Sequence, residues 1–264
     1  MKERQTIGVF DSGVGGLSVW RELVRELPAE SFVYLADNAH APYGSKSREF
    51  ITGRAMEISR FLIEKGAVLI VVACNTATGA AISRLRQEFP IPFVGVEPAV
   101  KPAALESATG QIGVLATAQT FNGEHFQRTF RLYSRSVRVH VRAGDGLVEL
   151  VESGMAHSDE ARALLESYLR PMIEVGIDHL VLGCTHYPFL IPVIREILPP
   201  GVRIIDPAPA VARQTRRILE ISELTEKGDG EIPNRFYTTG DTAPLARMLE
   251  SLNLPSPVQP LLDL

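Results

Sequence analysis

The chain contains two cysteines, and each stands where an apolar run of strand length ends. Cys74 follows residues 69–73, and Cys184 follows residues 180–183. The next two side chains are polar in both cases: Asn75 and Thr76 after the first thiol, Thr185 and His186 after the second. This repetition predicts one thiol from each of two similar halves. Two thiols that face one bound molecule would form a symmetric acid/base pair.

A cysteine at the end of an apolar run is most often a small buried hydrophobic residue. The polar neighbours of Cys74 and Cys184 favour a chemical role instead, and each cysteine leads into a helix-like stretch. A helix N-terminus favours the thiolate because of the helix dipole and its free amides. Roughly 2 kcal/mol of such stabilisation would bring a thiol pKa from ~8.5 to about 7. We therefore expect at least one unusually reactive thiol.

A glycine-rich segment, residues 11–16, follows the first apolar run. It can be a tight turn, or a dinucleotide fingerprint with Asp37 as the ribose-binding acid. The fingerprint is disfavoured because Ser18 occupies its third glycine position and Asp11 puts a carboxylate where pyrophosphate would bind. We favour a third interpretation, in which Asp11 assists catalysis or grips a substrate ammonium group. Ser12 and the backbone amides of the turn would then hold an anion.

The loop Pro42, Tyr43, Gly44 and Ser45 follows the second apolar run. Such segments are often plain turns. Here the loop lies on the sheet edge expected to carry Asp11 and Cys74. The amides of Tyr43 and Gly44, with the Ser45 hydroxyl, could bind a small carboxylate.

His186 is a candidate general acid/base, metal ligand or polar helix cap. Zinc is disfavoured, because the chain has no Cys-x-x-Cys and no second clustered histidine. A Cys-His hydrolase would need His186 to reach Cys184, and it would leave Cys74 unexplained. Glu152 is an ordinary helix carboxylate unless it reaches His186.

Composition excludes several classes of protein. The 264 residues are 45% apolar and 22% charged, as in globular proteins. A net charge of −4 argues against nucleic-acid binding. The longest strongly apolar stretch, residues 67–73, is far shorter than the ~20 residues that span a bilayer. The N-terminal residues lack the apolar core of a signal peptide, so we expect a cytoplasmic protein with reduced cysteines.

Apolar, β-branched runs predict strands at residues 6–10, 31–36, 67–73, 92–95, 111–116, 137–141, 179–183, 202–205 and 236–239. Helical periodicity separates most of them, as in residues 47–65. The alternation predicts an α/β protein with two similar domains, each a mainly parallel sheet flanked by helices. We expect residues 1–96 and 210–264 to form one domain, residues 97–209 the other, and the active cleft to lie between them.

Five motifs, at residues 11–17, 42–46, 73–77, 95–99 and 182–188, together resemble the glutamate racemases. These enzymes belong to the cofactor-independent aspartate/glutamate racemase superfamily. The resemblance implies interconversion of L- and D-glutamate for peptidoglycan synthesis, without metal or cofactor, in a protein that is often a homodimer. A racemase for aspartate or a hydantoin is the nearer alternative. A non-catalytic small-ligand binder is the more distant one.

The resemblance also implies roles for individual residues. Cys74 would take the α-proton of D-glutamate with help from Asp11. Cys184 would take that of L-glutamate with help from His186, oriented by Glu152. The substrate would be held by Asp11, Ser12, the loop of Pro42, Tyr43, Gly44 and Ser45, and Asn75, Thr76, Thr185 and His186. Thr117 or Thr120 would bind the side-chain carboxylate.

Overall fold

The computed structural model describes residues 5–134, 136–225, 234–261 and 264. Its strands are β1 (Thr6–Asp11), β2 (Phe32–Ala36), β3 (Ala67–Val72), β4 (Phe93–Gly95), β5 (Gln111–Ala116), β6 (Arg138–Ala143), β7 (His179–Gly183), β8 (Arg203–Ile205), β9 (Arg235–Thr238) and β10 (Val258–Pro260). Its helices are α1 (Leu17–Glu26), α2 (Arg48–Glu64), α3 (Asn75–Glu88), α4 (Val100–Glu106), α5 (Ala118–Asn122), α6 (Glu124–Tyr133), α7 (Leu147–Glu152), α8 (Asp159–Glu174), α9 (Ile191–Ile197), α10 (Ala208–Ile221) and α11 (Ala243–Ser251). Short 3₁₀ turns span Asn38–His40, Tyr43–Ser45 and Tyr187–Leu190.

The strands form two sheets whose pairings are all parallel. The first has the order β10-β9-β2-β1-β3-β4 and the second the order β6-β5-β7-β8. The order β2-β1-β3-β4 is therefore repeated as β6-β5-β7-β8. Cys74 follows β3 and Cys184 follows β7, so the two thiols occupy equivalent places in the two sheets. The α/β class predicted from the sequence is confirmed.

Helix boundaries follow local capping rules. The hydroxyl of Ser47 accepts a hydrogen bond from the amide of Phe50 at the start of α2. Ser158 does the same for Ala161 at the start of α8. The side chain of Cys74 takes this place before α3, where it accepts from the amide of Ala77.

The first sheet is covered by helices on both faces. Trp20 of α1 is buried and meets the ring of Phe236 edge to face, with centroids 5.2 Å apart. The buried face of α10, including Ala212 and Leu219, joins the same apolar core. Helix α10 thus packs with the first sheet, although in the chain it follows the last strand of the second.

Nine predicted strands appear within a residue or two of their expected bounds. Strand β10 is missing from the prediction. It has only three residues, includes a proline and is half-exposed, so it lacks the apolar signal of a buried strand. Across the described part of the chain, no helix combines the length and apolar character needed to cross a membrane.

Candidate active site

The two cysteines line one small chamber between the sheets. Cys74 is 5% exposed and Cys184 is 8% exposed. Most of the residues that line the chamber lie just after the carboxyl ends of parallel strands, as expected for an α/β protein. The free space is about 10 Å³, close to the room that one water molecule needs. The lining residues are Ser12, Pro42, Tyr43, Gly44, Cys74, Asn75, Thr76, Thr117, Val148, Cys184, Thr185 and His186.

Cys74 lies at the N-terminus of α3, as the sequence predicts. Its Sγ accepts from the amide of Ala77 at 3.4 Å and lies 3.7 Å from Oγ of Ser12. Burial nevertheless raises the pKa of the Cys74 thiol to about 12, and the nearby carboxylate of Asp11 raises it further. The expectation of a lowered pKa is wrong for this thiol, because desolvation of the thiolate outweighs the hydrogen bond from the helix.

Cys184 does not cap an α-helix. The 3₁₀ turn Tyr187–Leu190 separates it from α9, so the expected helix dipole is not at its side chain. The polar neighbour of the Cys184 thiol is instead a histidine, since Sγ of Cys184 is 3.7 Å from Nδ1 of His186. The two thiols therefore share a place in the sheet but have different electrostatic partners.

His186 is held from behind by Glu152. Nε2 of the buried His186 lies 2.6 Å from Oε1 of Glu152, which also accepts from the amide of Val14 at 2.8 Å. Burial alone would lower the pKa of His186, but its contacts with Cys184 and Glu152 raise that pKa well above its usual value. Burial works to raise the pKa of Glu152, yet the bond with His186 lowers it. These opposite shifts favour the imidazolium form of His186 and the carboxylate form of Glu152.

Asp11 lies beneath the chamber wall and is fully buried. Its Oδ1 accepts from the hydroxyl of Thr185 at 3.0 Å, and its Oδ2 accepts from the amide of Gly13 at 2.9 Å. Oγ of Ser12 lies between it and Cys74, 3.5 Å from Oδ2 and 3.7 Å from Sγ. Burial raises the pKa of Asp11. Asp11 can thus act on the thiol through Ser12 and through its charge.

The loop of residues 42–45 contributes three of its four predicted residues to the wall. Pro42, Tyr43 and Gly44 line the chamber. Ser45 is exposed, and its hydroxyl donates to the carbonyl of Pro42 at 3.4 Å. The structure does not bring Ser45 to the site, because the 3₁₀ turn directs it toward solvent.

Three threonines form a hydroxyl cluster across the two sheets. Oγ1 of Thr76 is 3.1 Å from that of Thr117 and 3.3 Å from that of Thr120, and the latter two are 2.9 Å apart. Thr117 reaches the chamber, whereas Thr120 is buried behind it. Asn75 lines the same side, and neither polar atom of its side chain has a hydrogen-bond partner in the described part of the chain. These groups are ready donors for a polar ligand.

Two glycines let the side chains of His186 and Glu152 approach the loop after β1. A Cβ at Gly15 would overlap the ring of His186, and a Cβ at Gly13 would overlap the carboxylate of Glu152. Close approach, rather than a phosphate-binding turn, accounts for glycine at these two positions.

Sequence reasoning missed Val148, which lines the chamber. It precedes Glu152 by one helical turn on α7, so helical spacing from Glu152 would have found it. Two larger depressions are present, one of about 510 Å³ beside α11, which Glu152 also lines, and one of about 560 Å³ beside α4. Neither depression is lined by a cysteine, so we identify the candidate site by its reactive side chains and not by its volume.

Within the described ranges, no group of three or more His, Cys, Asp and Glu side chains could hold a metal.

Comparison with known proteins identifies close relatives. The family model described as Asp/Glu/Hydantoin racemase matches residues 7–215. The glutamate racemase of Pseudomonas paraeruginosa is 47% identical over 251 residues, which cover 95% of this chain and 94% of the relative. That of Herpetosiphon aurantiacus is 44% identical and covers 95% of this chain and 98% of its own.

Solved structures agree. Escherichia coli glutamate racemase, in complex with L-glutamate and the activator UDP-MurNAc-ala, superposes with a TM-score of 0.88 at 34% identity over 98% of both chains. Francisella tularensis glutamate racemase in complex with D-glutamate gives 0.85 at 28% identity, again over 98% of both chains. The resemblance predicted from the motifs is confirmed.

Proposed function

Because the chain belongs to the Asp/Glu/hydantoin racemase family, we propose that it is a glutamate racemase that uses two cysteine thiols and no cofactor. The observation that carries the proposal is that both thiols line the same chamber from equivalent strands of two sheets. Racemisation needs a base on one face of the α-carbon and an acid on the other. A pair placed in this way meets that need without turning the substrate over.

In the proposed reaction the Cys74 thiolate removes the α-proton of D-glutamate. The electron pair of the broken C–H bond moves toward the α-carboxylate, and the Cys184 thiol donates its proton to the opposite face. L-Glutamate reacts by the reverse path, with Cys184 as base and Cys74 as acid. The developing negative charge requires fixed hydrogen-bond donors in a water-poor site. Side chains on the wall that can donate in this way are those of Ser12, Asn75 and Thr76, while the hydroxyl of Thr185 is bound to Asp11.

The raised pKa of Cys74 has a consequence for this reaction. At neutral pH the resting thiol is protonated, so it is ready as an acid but not as a base. The ammonium group of a bound amino acid would place an opposite charge in the chamber and favour the thiolate. Asp11, linked to Cys74 through Ser12, would accept or return the displaced proton.

On the other side, the imidazolium of His186 would stabilise the thiolate of Cys184 or return a proton to it. Glu152 would keep His186 charged and oriented. Thr117, or Thr120 through Thr117, would bind the side-chain carboxylate of glutamate. Free space of about 10 Å³ cannot hold an amino acid, so we infer that the two halves separate when substrate enters.

The wider biology follows from the proposed reaction. D-Glutamate would supply peptidoglycan synthesis, a cytoplasmic process, and a homodimer would be the expected assembly. The division into residues 1–96 plus 210–264 and residues 97–209 stays a prediction. It is supported by the two sheets and by the packing of α10 against α1.

The test is interconversion of enantiomers in deuterated water with glutamate, aspartate and a hydantoin as substrates. Glutamate should react fastest, and its product should carry deuterium while the recovered starting enantiomer stays mostly protiated at early times. Protein dialysed against a strong chelator should keep its rate. Preference for aspartate or a hydantoin would move the chain to a related racemase, and inactivity on all three would favour a ligand-binding protein.

A further inference from the structure

Asp37 is a buried carboxylate that the proposed chemistry does not use. It follows β2 and is fully buried at the sheet edge that carries Asp11. Its backbone amide donates to the carbonyl of Asp11 at 2.9 Å. A buried charge of this kind needs partners, and the identity of the partners indicates its role.

Five contacts surround the carboxylate. Oδ1 accepts from Nη2 of Arg54 at 2.8 Å and from the hydroxyl of Thr239 at 2.8 Å, and it lies 3.0 Å from Nδ1 of His40. Oδ2 accepts from the hydroxyl of Tyr43 at 2.5 Å and from Nε of Arg54 at 3.0 Å. A carboxylate offers about four lone-pair sites, so Asp37 has none left for a ligand. Its influence on the chamber must pass through a neighbour.

The charge of Asp37 is balanced within the fold. Burial works to raise its pKa, but the hydrogen bonds from Arg54 and Tyr43 lower it, so the group is a carboxylate at neutral pH. Arg54 is itself buried, with 9% of its side chain exposed, and binds Asp37 through two nitrogens. Such a two-point ion pair has a defined geometry. It gives Asp37 a fixed position from which to hold Tyr43.

Tyr43 connects this ion pair to the chamber. The residue is 1% exposed, its ring packs in the core beside Ile51 and Ala55, and it lines the chamber between Pro42 and Gly44. Burial raises the pKa of its hydroxyl, which therefore stays a donor to Asp37. The phenol is thus held at its hydroxyl by Asp37, and the same residue lines the chamber.

We propose that Asp37 is a positioning residue for substrate binding, acting through Tyr43. With Arg54 and Thr239 it holds the tyrosine and so sets the position of residues 42–44, the wall expected to bind a substrate carboxylate. Thr239 directly follows β9, so the distant C-terminal part of the chain takes part in shaping the chamber. The inference rests on the proposed function, because the bound carboxylate is that of glutamate.

The experiment measures kcat and KM for D- and L-glutamate in wild type, Asp37→Asn, Tyr43→Phe and the double variant. Each single change should raise KM about five- to tenfold and change kcat less than about twofold, because the wall binds ground state and transition state alike. The double variant should raise KM no more than the worse single variant, since both changes break one path. Multiplied effects in the double variant, or a wild-type KM in folded Asp37→Asn, would overturn the proposal.

Two further variants complete the design. Oε2 of Glu57 accepts from Nη1 of Arg54 at 2.5 Å, on the side of the guanidinium away from Asp37. Glu57→Gln removes this charge and should keep KM within about twofold of wild type. If Asp37→Asn does not fold, Thr239→Val removes one donor to Oδ1 with little change of shape and should raise KM about two- to threefold. If Thr239→Val and Tyr43→Phe, measured as separate variants, both keep the wild-type KM, the proposal is overturned.

Hydrogen exchange gives a readout that does not need turnover. The amides of residues 43–46 should exchange faster in Asp37→Asn than in wild type or Glu57→Gln, with other segments unchanged. Unchanged exchange there contradicts the positioning role even if glutamate is racemised. The two proposals can fail separately. If the wild type does not racemise glutamate but exchange is still faster in Asp37→Asn, the proposed function is wrong while the link between Asp37 and residues 42–44 stands.

Discussion

Nε2 of His186 lies 2.6 Å from Oε1 of Glu152, and the amide of Val14 donates to that same oxygen. The histidine belongs to the loop after β7, while Val14 belongs to the loop after β1 of the other sheet. One carboxylate therefore orients the imidazolium beside Cys184 and joins the two halves of the site.

Glu152→Gln should lower kcat/KM about tenfold to a hundredfold, because a hydrogen bond to a charged group is lost. The fall in kcat/KM must be equal for D- and L-glutamate, because the two enantiomers have equal free energies and their equilibrium constant is therefore the same in every variant. Glu152 raises the pKa of His186, so its loss should shift the alkaline limb of the pH–rate profile to lower pH. Glu149→Gln, on the exposed side of α7, is the matched control and should keep the wild-type profile. An unshifted alkaline limb in Glu152→Gln would contradict a charged, catalytic His186.

Cys74→Ser and Cys184→Ser should each reduce racemisation by about 10³-fold or more in both directions. A serine hydroxyl is far less acidic than a thiol, while the change in size is small. Residual exchange of the α-proton with solvent should favour D-glutamate in Cys184→Ser and L-glutamate in Cys74→Ser. Circular dichroism would establish that each variant is folded. Near-normal racemisation by either folded variant removes that cysteine from the mechanism.

Alkylation should show that Cys74 is unreactive at neutral pH in the absence of substrate. Its thiolate fraction should rise about tenfold for each pH unit below a pKa of about 12. Asp11→Asn removes a neighbouring negative charge, so it should speed alkylation of Cys74 at a given pH while slowing racemisation. Asp241→Asn, on an exposed loop, should change neither rate. Peptide mapping assigns the label, and rapid alkylation of wild-type Cys74 at pH 7 would contradict its raised pKa.

Gly15→Ala should lower kcat about a hundredfold, because the added Cβ overlaps the ring of His186 and must displace it. Gly53→Ala, in the middle of α2, is the matched control, since nothing lies within 4 Å of the added Cβ. The control should keep wild-type activity and raise stability by about 0.5–1 kcal/mol, as expected for alanine in place of glycine within a helix. Wild-type kcat in Gly15→Ala would show that His186 does not need its present position.

The sequence alone determined nine of the strands that the structure describes and the place of both thiols at strand ends. Apolar runs such as residues 67–73 and 179–183 can be recognised because a buried parallel strand needs apolar side chains on both faces. Polar side chains at the ends of neighbouring parallel strands meet at one sheet edge, so Asp11 and Cys74 could be assigned to one edge and Cys184 to the equivalent edge of the second sheet. These properties depend on residues that are close together in the sequence, so the pattern of apolar and polar residues is enough to predict them.

Only the tertiary structure decided the electrostatics and the partners. Whether Cys74 has a raised or lowered pKa depends on how completely the folded chain excludes water from the thiol, which the neighbouring residues in the sequence do not reveal. The contacts of Glu152 with Val14 and of Asp37 with Thr239 join residues 138 and 202 positions apart. Desolvation and long-range pairing arise from packing between segments that are distant in the chain, so they are set only when those segments come together.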